Sequence, residues 1–238
     1  MSRLSIAAFL SLTVVFFSCN NCIEGVGDSI EEKRILTDFE ELVLNCSADV
    51  TIRQNILSEK NSVIVLAQEN LIPHLKTTVQ SGRLTIDVDG CVNPTTDFVV
   101  EVFTNGLSSI NVNGSGDVSS TNPLKGESLE INVDGSGDVN LKIKVDELGV
   151  FIDGSGDVTL DGDATDCEIN SDGSGDFNGF GMKVNNAEIQ TDGSGNVNIH
   201  VKESLEVNLS GSGNVSYKGG PQEIQQSNSG SGNIKSVN

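Results

Sequence analysis

The chain has no tryptophan, one tyrosine, two histidines and four prolines in 238 residues. With nine phenylalanines as its other rings, it has little to stack on sugars or nucleobases and few aromatic anchors for a protein interface. His74 and His200 lie far apart, with no Cys, Ser or acid at triad spacing, and no His/Cys cluster has the spacing of a metal site. Basic residues are scarce too: 14 Lys and Arg face 34 Asp and Glu, a net charge of −20. Nucleic acid and anionic lipid surfaces need positive patches and are poor partners for such a field. Catalysis is therefore not expected, nor is nucleic-acid binding. Beyond the N-terminus no apolar run approaches the ~20 residues of a membrane-spanning helix.

The one long apolar run, Leu4 to Phe17, follows Arg3 and reads as an export signal too short to span a bilayer. It ends in Phe16-Phe17-Ser18-Cys19, which resembles the lipobox of bacterial lipoproteins, with Phe16 in place of the usual Leu. Residues 1–18 are expected to be removed and Cys19 lipidated, anchoring the chain in the cell envelope, with the outer membrane as the expected site; an ordinary secretory signal is the alternative. Losing Arg3 takes the net charge to −21. Residues 19–34 mix Gly, Asn and acids without periodicity and read as a flexible tether.

What the chain has in plenty is Gly-Ser-Gly followed by Asp or Asn. The first glycines of these units are Gly114, Gly135, Gly154, Gly173, Gly193, Gly211 and Gly230. The second glycines are Gly116, Gly137, Gly156, Gly175, Gly195, Gly213 and Gly232. The starts are spaced by 21, 19, 19, 20, 18 and 19 residues, so residues 106–238 form a repeat architecture. Within a repeat, Leu129, Ile131, Val133, Gly135, Gly137, Val139, Leu141 and Ile143 share one parity and the polar residues the other. Alternation of period two puts the first set inward and the second outward. Both glycines then face inward, at a bend where a Cβ does not fit the core. Stacking such units gives an all-β fold, a parallel β-helix or solenoid with turns of about 19–20 residues; serial antiparallel hairpins are the runner-up. Two strands of about seven residues and a loop are expected per turn, the loops at Pro123–Ser128, Val145–Glu147, Asp161–Asp166, Gly181–Asn186, His200–Ser204 and Lys218–Glu223.

Residues 35–105 are strand-rich but irregular, with β candidates at Val63–Ala67, Leu84–Val88 and Phe98–Phe103 and one short helix or turn at Glu69–Lys76. A degenerate eighth copy is visible: Leu42, Leu44, Cys46, Ala48, Val50 and Ile52 follow the inward parity, with Cys46 and Ala48 in the glycine places. The 68-residue gap from Cys46 to Gly114 leaves two readings, irregular early turns or a separate N-terminal β-cap.

The tandem Gly-Ser-Gly-Asp-Val units, Tyr217-Lys218-Gly219-Gly220-Pro221 before the last of them and the lipoprotein-like start resemble the putative auto-transporter adhesin, head GIN domain family. The resemblance runs from about Phe39 to Ile234. It implies a parallel β-helical envelope protein without established molecular function, and it brings no catalytic residues.

Outward acids form two candidate rows. Asp117, Asp138, Asp157 and Asp176 follow the glycines; Asp134, Asp153, Asp172 and Asp192 precede them. Carboxylates one coil apart, ~4.8 Å, repel by ~1 kcal/mol even in water. Ca²⁺ bridging through Asp117, Asp138, Asp157 and Asp176 is the sharp reading; the bland one has no cofactor, each Asp bonding its own turn. Asn196, Asn214 and Asn233 close the row as an amide ladder. Cys46 and Cys167 face inward as small hydrophobes. An oxidising envelope permits Cys22 and Cys91 to pair, but four cysteines allow three full pairings. Two functions remain: a non-enzymatic lipoprotein displaying repeated polar rows, as adhesin, surface-interaction protein or scaffold for an unidentified protein or glycan, or a glycan-active enzyme using paired outward carboxylates. A structural spacer, with or without Ca²⁺, is the blandest outcome.

Overall fold

A computed structural model describes residues 22–55 and 60–237. The signal segment 1–18 and Cys19 lie outside the described residues. Among those described there is no helix, and the strands in chain order are β1 (Ile23–Glu24), β2 (Ser29–Ile35), β3 (Glu41–Leu44), β4 (Asp49–Gln54), β5 (Ser62–Gln68), β6 (Leu75–Gln80) and β7 (Arg83–Val88). There follow β8 (Val92–Asn93), β9 (Val99–Thr104), β10 (Ser109–Val112), β11 (Val118–Ser120), β12 (Leu124–Val133), β13 (Val139–Ile152) and β14 (Val158–Ser171). The chain ends with β15 (Phe177–Thr191), β16 (Val197–Leu209), β17 (Val215–Lys218), β18 (Glu223–Asn228) and β19 (Ile234–Ser236).

From β10 onward every coil pairs in parallel with the next, giving a β-solenoid. Val139, Val158, Phe177, Val197, Val215 and Ile234 stack in one column, and Leu129, Leu148, Cys167, Ala187 and Leu205 in another. The parity argument holds residue by residue: Ile131, Val133, Val139, Leu141 and Ile143 are buried, and Asp134, Ser136 and Asp138 are exposed. One inward column breaks this chemistry. The column Val133–Ile152–Ser171–Thr191–Leu209 buries two adjacent hydroxyls, neither with a partner.

The long strands correct the expectation of two short strands and a loop. Residues 139–152, 158–171 and 177–191 are continuous strand through the stretches expected as loops. A solenoid coil curves by skipping a pairing, as at Asp146 between Val145 and Glu147. Length differences are absorbed the same way: the 20-residue interval shifts register between Thr159 and Asp161, and the 18-residue one between Gly179 and Asn186. Each irregularity leaves residues unpaired and disrupts the ladder locally, as at residues 180–183, which fall between the paired Gly179 and Val184.

At the base, β3 and β4 stack directly beneath β10 and β11, with Leu42 opposite Ile110 and Val50 opposite Val118. The eighth copy is thus the coil next to the first Gly-Ser-Gly. Strands β5, β6, β7 and β9 of the intervening chain lie on its other side: β7 and β9 pair in parallel with β3 and β4, and β6 and β5 close them antiparallel. Residues 35–105 thus contribute one coil, built on β3 and β4, and beside it the strands β5, β6, β7 and β9.

The expected tether contains strand. Ser29–Ile35 pairs antiparallel with β5, and Ile23–Glu24 pairs with β8 beside the Cys22–Cys91 disulfide. Its composition hid this because β2 is an edge strand, exposed almost throughout. The 69–74 stretch is a turn, pinned where Arg34 donates from Nη1 to the Leu75 carbonyl (2.7 Å) and from Nη2 to that of Ile72 (3.2 Å).

Candidate functional site

The corners explain the glycines. None of the seven pairs has a positive φ, so no special backbone conformation requires them. The reason is proximity. A Cβ at Gly137 would press on the carbonyl of Gly116 in the coil below, and one at Gly156 would stand 2.8 Å from the carbonyl carbon of Gly137. The contact recurs up the stack: a Cβ at Gly175 would meet the carbonyl oxygen of Gly156, at Gly195 that of Gly175, at Gly213 that of Gly195, and at Gly232 that of Gly213. The first glycines repeat it in their own column, Gly173 over Gly154, Gly193 over Gly173, Gly211 over Gly193 and Gly230 over Gly211. This corrects the expectation that a Cβ at these positions fails against the core: the first obstacle is the backbone of the neighbouring coil. Across this close approach the Ser136 N–H donates to Gly114 O (3.0 Å) and the Ser155 N–H to Gly135 O (2.9 Å). Cys46 and Ala48 carry side chains because the coil beneath them bridges β7 and β9 with the longer segment 89–98, not with another corner.

The aspartates after the glycines form one row, each occupied by a bond to the next coil. The backbone N–H of Asp117 donates to Asp49 Oδ1 (3.1 Å), Asp138 to Asp117 (2.9 Å), Asp157 to Asp138 (2.8 Å) and Asp176 to Asp157 (2.8 Å). Asn196 continues by donating to Asp176, and Asn214 and Asn233 donate from both backbone and side chain to the amide oxygen before them. The carboxylates thus bond the following coil, not their own turn as the bland reading held. Among the described residues no three His, Cys, Asp or Glu side chains stand together as a metal-binding group.

A different row faces an axial groove of about 640 Å³ crossing the coils from Ser108 to Gln225. Its floor is Leu129, Leu148, Cys167, Ala187 and Leu205. One wall stacks Glu130, Gly149, Glu168, Glu188 and Glu206; the other stacks Ser128, Glu147, Asp166, Asn186, Ser204 and Glu223. Amides two residues along the same strand hold several of these carboxylates: Asn132 Nδ2 donates to Glu130 (2.8 Å) and Asn170 Nδ2 to Glu168 (2.9 Å). Across the other wall Asn186 Nδ2 donates to Asp166 Oδ1 and Ser204 Oγ to Asn186 Oδ1, each at 2.8 Å. At Gly149 the glutamate row is interrupted and the half-buried Phe151 leans in, 3.1 Å from where a Cβ would stand. The groove thus offers fixed acceptors at coil spacing, with one aromatic among them. Sequence reading passed over this row, although the signal was present: each glutamate stands five residues before the first glycine of its corner.

Of the cysteines, Cys22 and Cys91 are disulfide-bonded, one of the pairings left open by the sequence. Cys167 is buried in the groove floor, and burial pushes its thiol up to about 12. Cys46 is half-buried and raised, first by burial and also by the charge of Asp87, against a backbone hydrogen bond from Ala48. His200 is half-buried beside Lys218, and burial, then Lys218, Lys183 and Lys202, hold its imidazole below the ordinary range.

A family model described as putative auto-transporter adhesin, head GIN domain, matches residues 38–221. Among solved structures, a putative adhesin from Bacteroides fragilis matches at TM-score 0.83 and 23% identity, over 90% of this chain and 100% of that one. A putative lipid binding protein from Parabacteroides distasonis matches at 0.72 and 26%, over 90% and 100%. A putative adhesin from Parabacteroides merdae matches at 0.70 and 23%, over 91% and 99%. No curated protein matches the sequence. Six of the seven corners and the whole glutamate row fall inside the matched span, and the chain belongs to the putative auto-transporter adhesin, head GIN domain family.

Proposed function

We propose that the protein is a non-enzymatic lipoprotein anchored through Cys19 in the outer membrane, with its solenoid facing outward, where it makes adhesive contacts along the axial groove. The observation that carries this reading is the groove itself: it crosses several coils and sets a glutamate row, interrupted at Gly149, beside a second wall of mixed polar residues at coil spacing. Weak contacts repeated in register sum when one extended partner engages them together. Membership of an adhesin-named family supports a surface role. The test is attachment of beads coated with the wild type or with the Glu130→Gln, Glu168→Gln, Glu188→Gln, Glu206→Gln variant to cells and matrix components. Attachment lost in the variant, with its melting unchanged, supports the reading. Release of new reducing ends from a glycan by the wild type and not by the variant overturns it in favour of an enzyme.

A further inference from the structure

Large apolar side chains stand exposed at Ile23, Val26, Ile30, Ile35 and Ile224 among the described residues. The first four belong to one short stretch, and that stretch lies at one end of the stack. Strands β4, β9, β5 and β2 follow one another outward, away from the Gly-Ser-Gly coils, and β1 pairs with β8 in the segment between β7 and β9. The stretch is held firmly. Cys22 is bonded to Cys91, the Ile23 N–H donates to Cys91 O (2.8 Å) and that of Gly25 to Asn93 O (2.9 Å). Asn70 accepts the Val26 N–H at Oδ1 and donates from Nδ2 to Glu24 O, each at 2.8 Å. The apolar side chains stay outside: Val26 is 66% exposed, and Ile30, opposite Ala67 in register, is 41% exposed. Ile35, an odd number of residues from Ile30, points to the other face of β2.

We propose that this end of the protein rests on the lipid bilayer, with Ile23, Val26 and Ile30 entering the headgroup boundary. The contact presupposes the acyl anchor on Cys19 and adds to it which end of the fold meets the membrane. Three peptide steps separate Cys19 from Cys22, a reach of about 11 Å at most. The disulfide fastens the end of that reach to the body of the fold, so the body has no long leash on which to swing away. The headgroup layer is itself roughly 5–7 Å thick on each side of a bilayer, which brings the anchored end against it. Charge selects the kind of surface. Glu24, Asp28, Glu31 and Glu32 outnumber Lys33 and Arg34 in this stretch, so the contact is apolar and suits neutral lipids, since anionic ones attract clustered Lys and Arg. One acyl chain alone holds a protein to a bilayer only reversibly, and a second apolar contact lengthens its stay. A protein standing on this end carries its coils away from the bilayer at ~4.8 Å per coil, and the groove from Ser108 to Gln225 runs outward along them.

The chain has no tryptophan, so a single introduced indole reports its own surroundings. The Val26→Trp, Ile30→Trp and Ile224→Trp proteins, with acylation of Cys19 checked by mass spectrometry, are each bound to phosphatidylcholine vesicles carrying brominated acyl chains. Quenching and a blue-shifted emission are expected at Val26 and Ile30, and neither at Ile224 in the last coil. The acylated Ile23→Asn, Val26→Asn, Ile30→Asn protein should also pass from donor to acceptor vesicles at least tenfold faster than wild type. Exposed Val26→Asn alone gives a smaller increase should the triple variant misfold. None of these residues lines the glutamate groove, so the bead-attachment test is independent of this one. A chain without an acyl group on Cys19 overturns the anchor and the contact together. An acylated protein that floats with the vesicles but shows no quenching at Val26 and Ile30, or equal quenching at Ile224, overturns the contact alone. Quenching that appears only with phosphatidylglycerol overturns it too, because the contact is then electrostatic.

Discussion

Replacing Gly156 by alanine tests why the corners are glycine. The new Cβ would stand 2.8 Å from the Gly137 carbonyl carbon and 3.1 Å from Val133 Cγ1. Normal carbon contacts begin near ~3.5 Å and the Gly137 carbonyl oxygen lies nearer still, so the coils must part by more than roughly 0.7 Å or tilt. The bonds at stake are Gly154 N–H to Val133 O (2.9 Å), Ser155 N–H to Gly135 O (2.9 Å) and Asp157 N–H to Asp138 Oδ1 (2.8 Å). At about 1 kcal/mol each when lost or stretched, and in the range of 1–3 kcal/mol roughly expected of overpacking, the cost is about 3 kcal/mol. For a chain of this size that lowers the melting temperature by roughly 6–12 °C. Gly126→Ala is the control: it also lacks a positive φ, and its nearest neighbour is Ser128 O at an ordinary 3.5 Å, so its effect stays within about 0.5 kcal/mol. Were the corners flexible linkers, alanine at Gly156 would instead stabilise by about 0.4–1 kcal/mol by restricting the unfolded chain. The sign in thermal and urea melts thus decides, and a Gly156→Ala protein melting at or above wild type refutes the close-stacking argument.

The Asp row gives a graded series: Asp138→Asn keeps an acceptor for the Asp157 N–H and melts like wild type, whereas Asp138→Ala loses it and costs about 1 kcal/mol. One oxygen of each carboxylate in the row accepts a backbone N–H, which leaves a single oxygen per side chain for a cation, so millimolar Ca²⁺ added to EDTA-stripped protein is expected to leave the melting curve in place; a shift of several degrees would support the bridging-metal reading. Cys91→Ser removes a link between residues 69 apart in sequence, worth about 4 kcal/mol by loop entropy, and the loss should appear first as faster amide exchange in β1, β2 and β5. The Cys167 thiol, held near 12 by burial, should resist maleimide at pH 8 until the protein is unfolded; labelling at the rate of a free thiol would place the groove floor in solvent.

The solenoid was legible because period-two alternation runs unbroken through the corner, so one count of parity places Val133, Gly135, Gly137 and Val139 together. Parity does not encode which coil lies beneath which. The chain leaves the Cys46 coil downward and returns above it, and only β7 and β9 pairing with β3 and β4 reveals the detour. The same gap hid what the second glycines are for: Gly175, Gly195, Gly213 and Gly232 look inward by parity, but the atom that forbids their Cβ belongs to the coil below. Strand β2 escaped because an edge strand can be polar on both faces, and edge polarity reads as linker. The corner row was found and its hydrogen-bond partner was not: Asp138 Oδ1 accepts the N–H of Asp157 in the next coil, not one of its own turn. The glutamate row went unnoticed for a related reason. Gly149 and Gln225 interrupt it, and its members come into register with one another only after the coils stack.

Display at the cell surface is what the adhesive reading needs most, and antibody labelling of intact against permeabilised cells measures it. The account predicts equal labelling of the folded protein before and after permeabilisation, and loss of labelled protein from the membrane fraction on Cys19→Ser. Labelling that appears only after permeabilisation would place the solenoid inside the envelope and contradict the account.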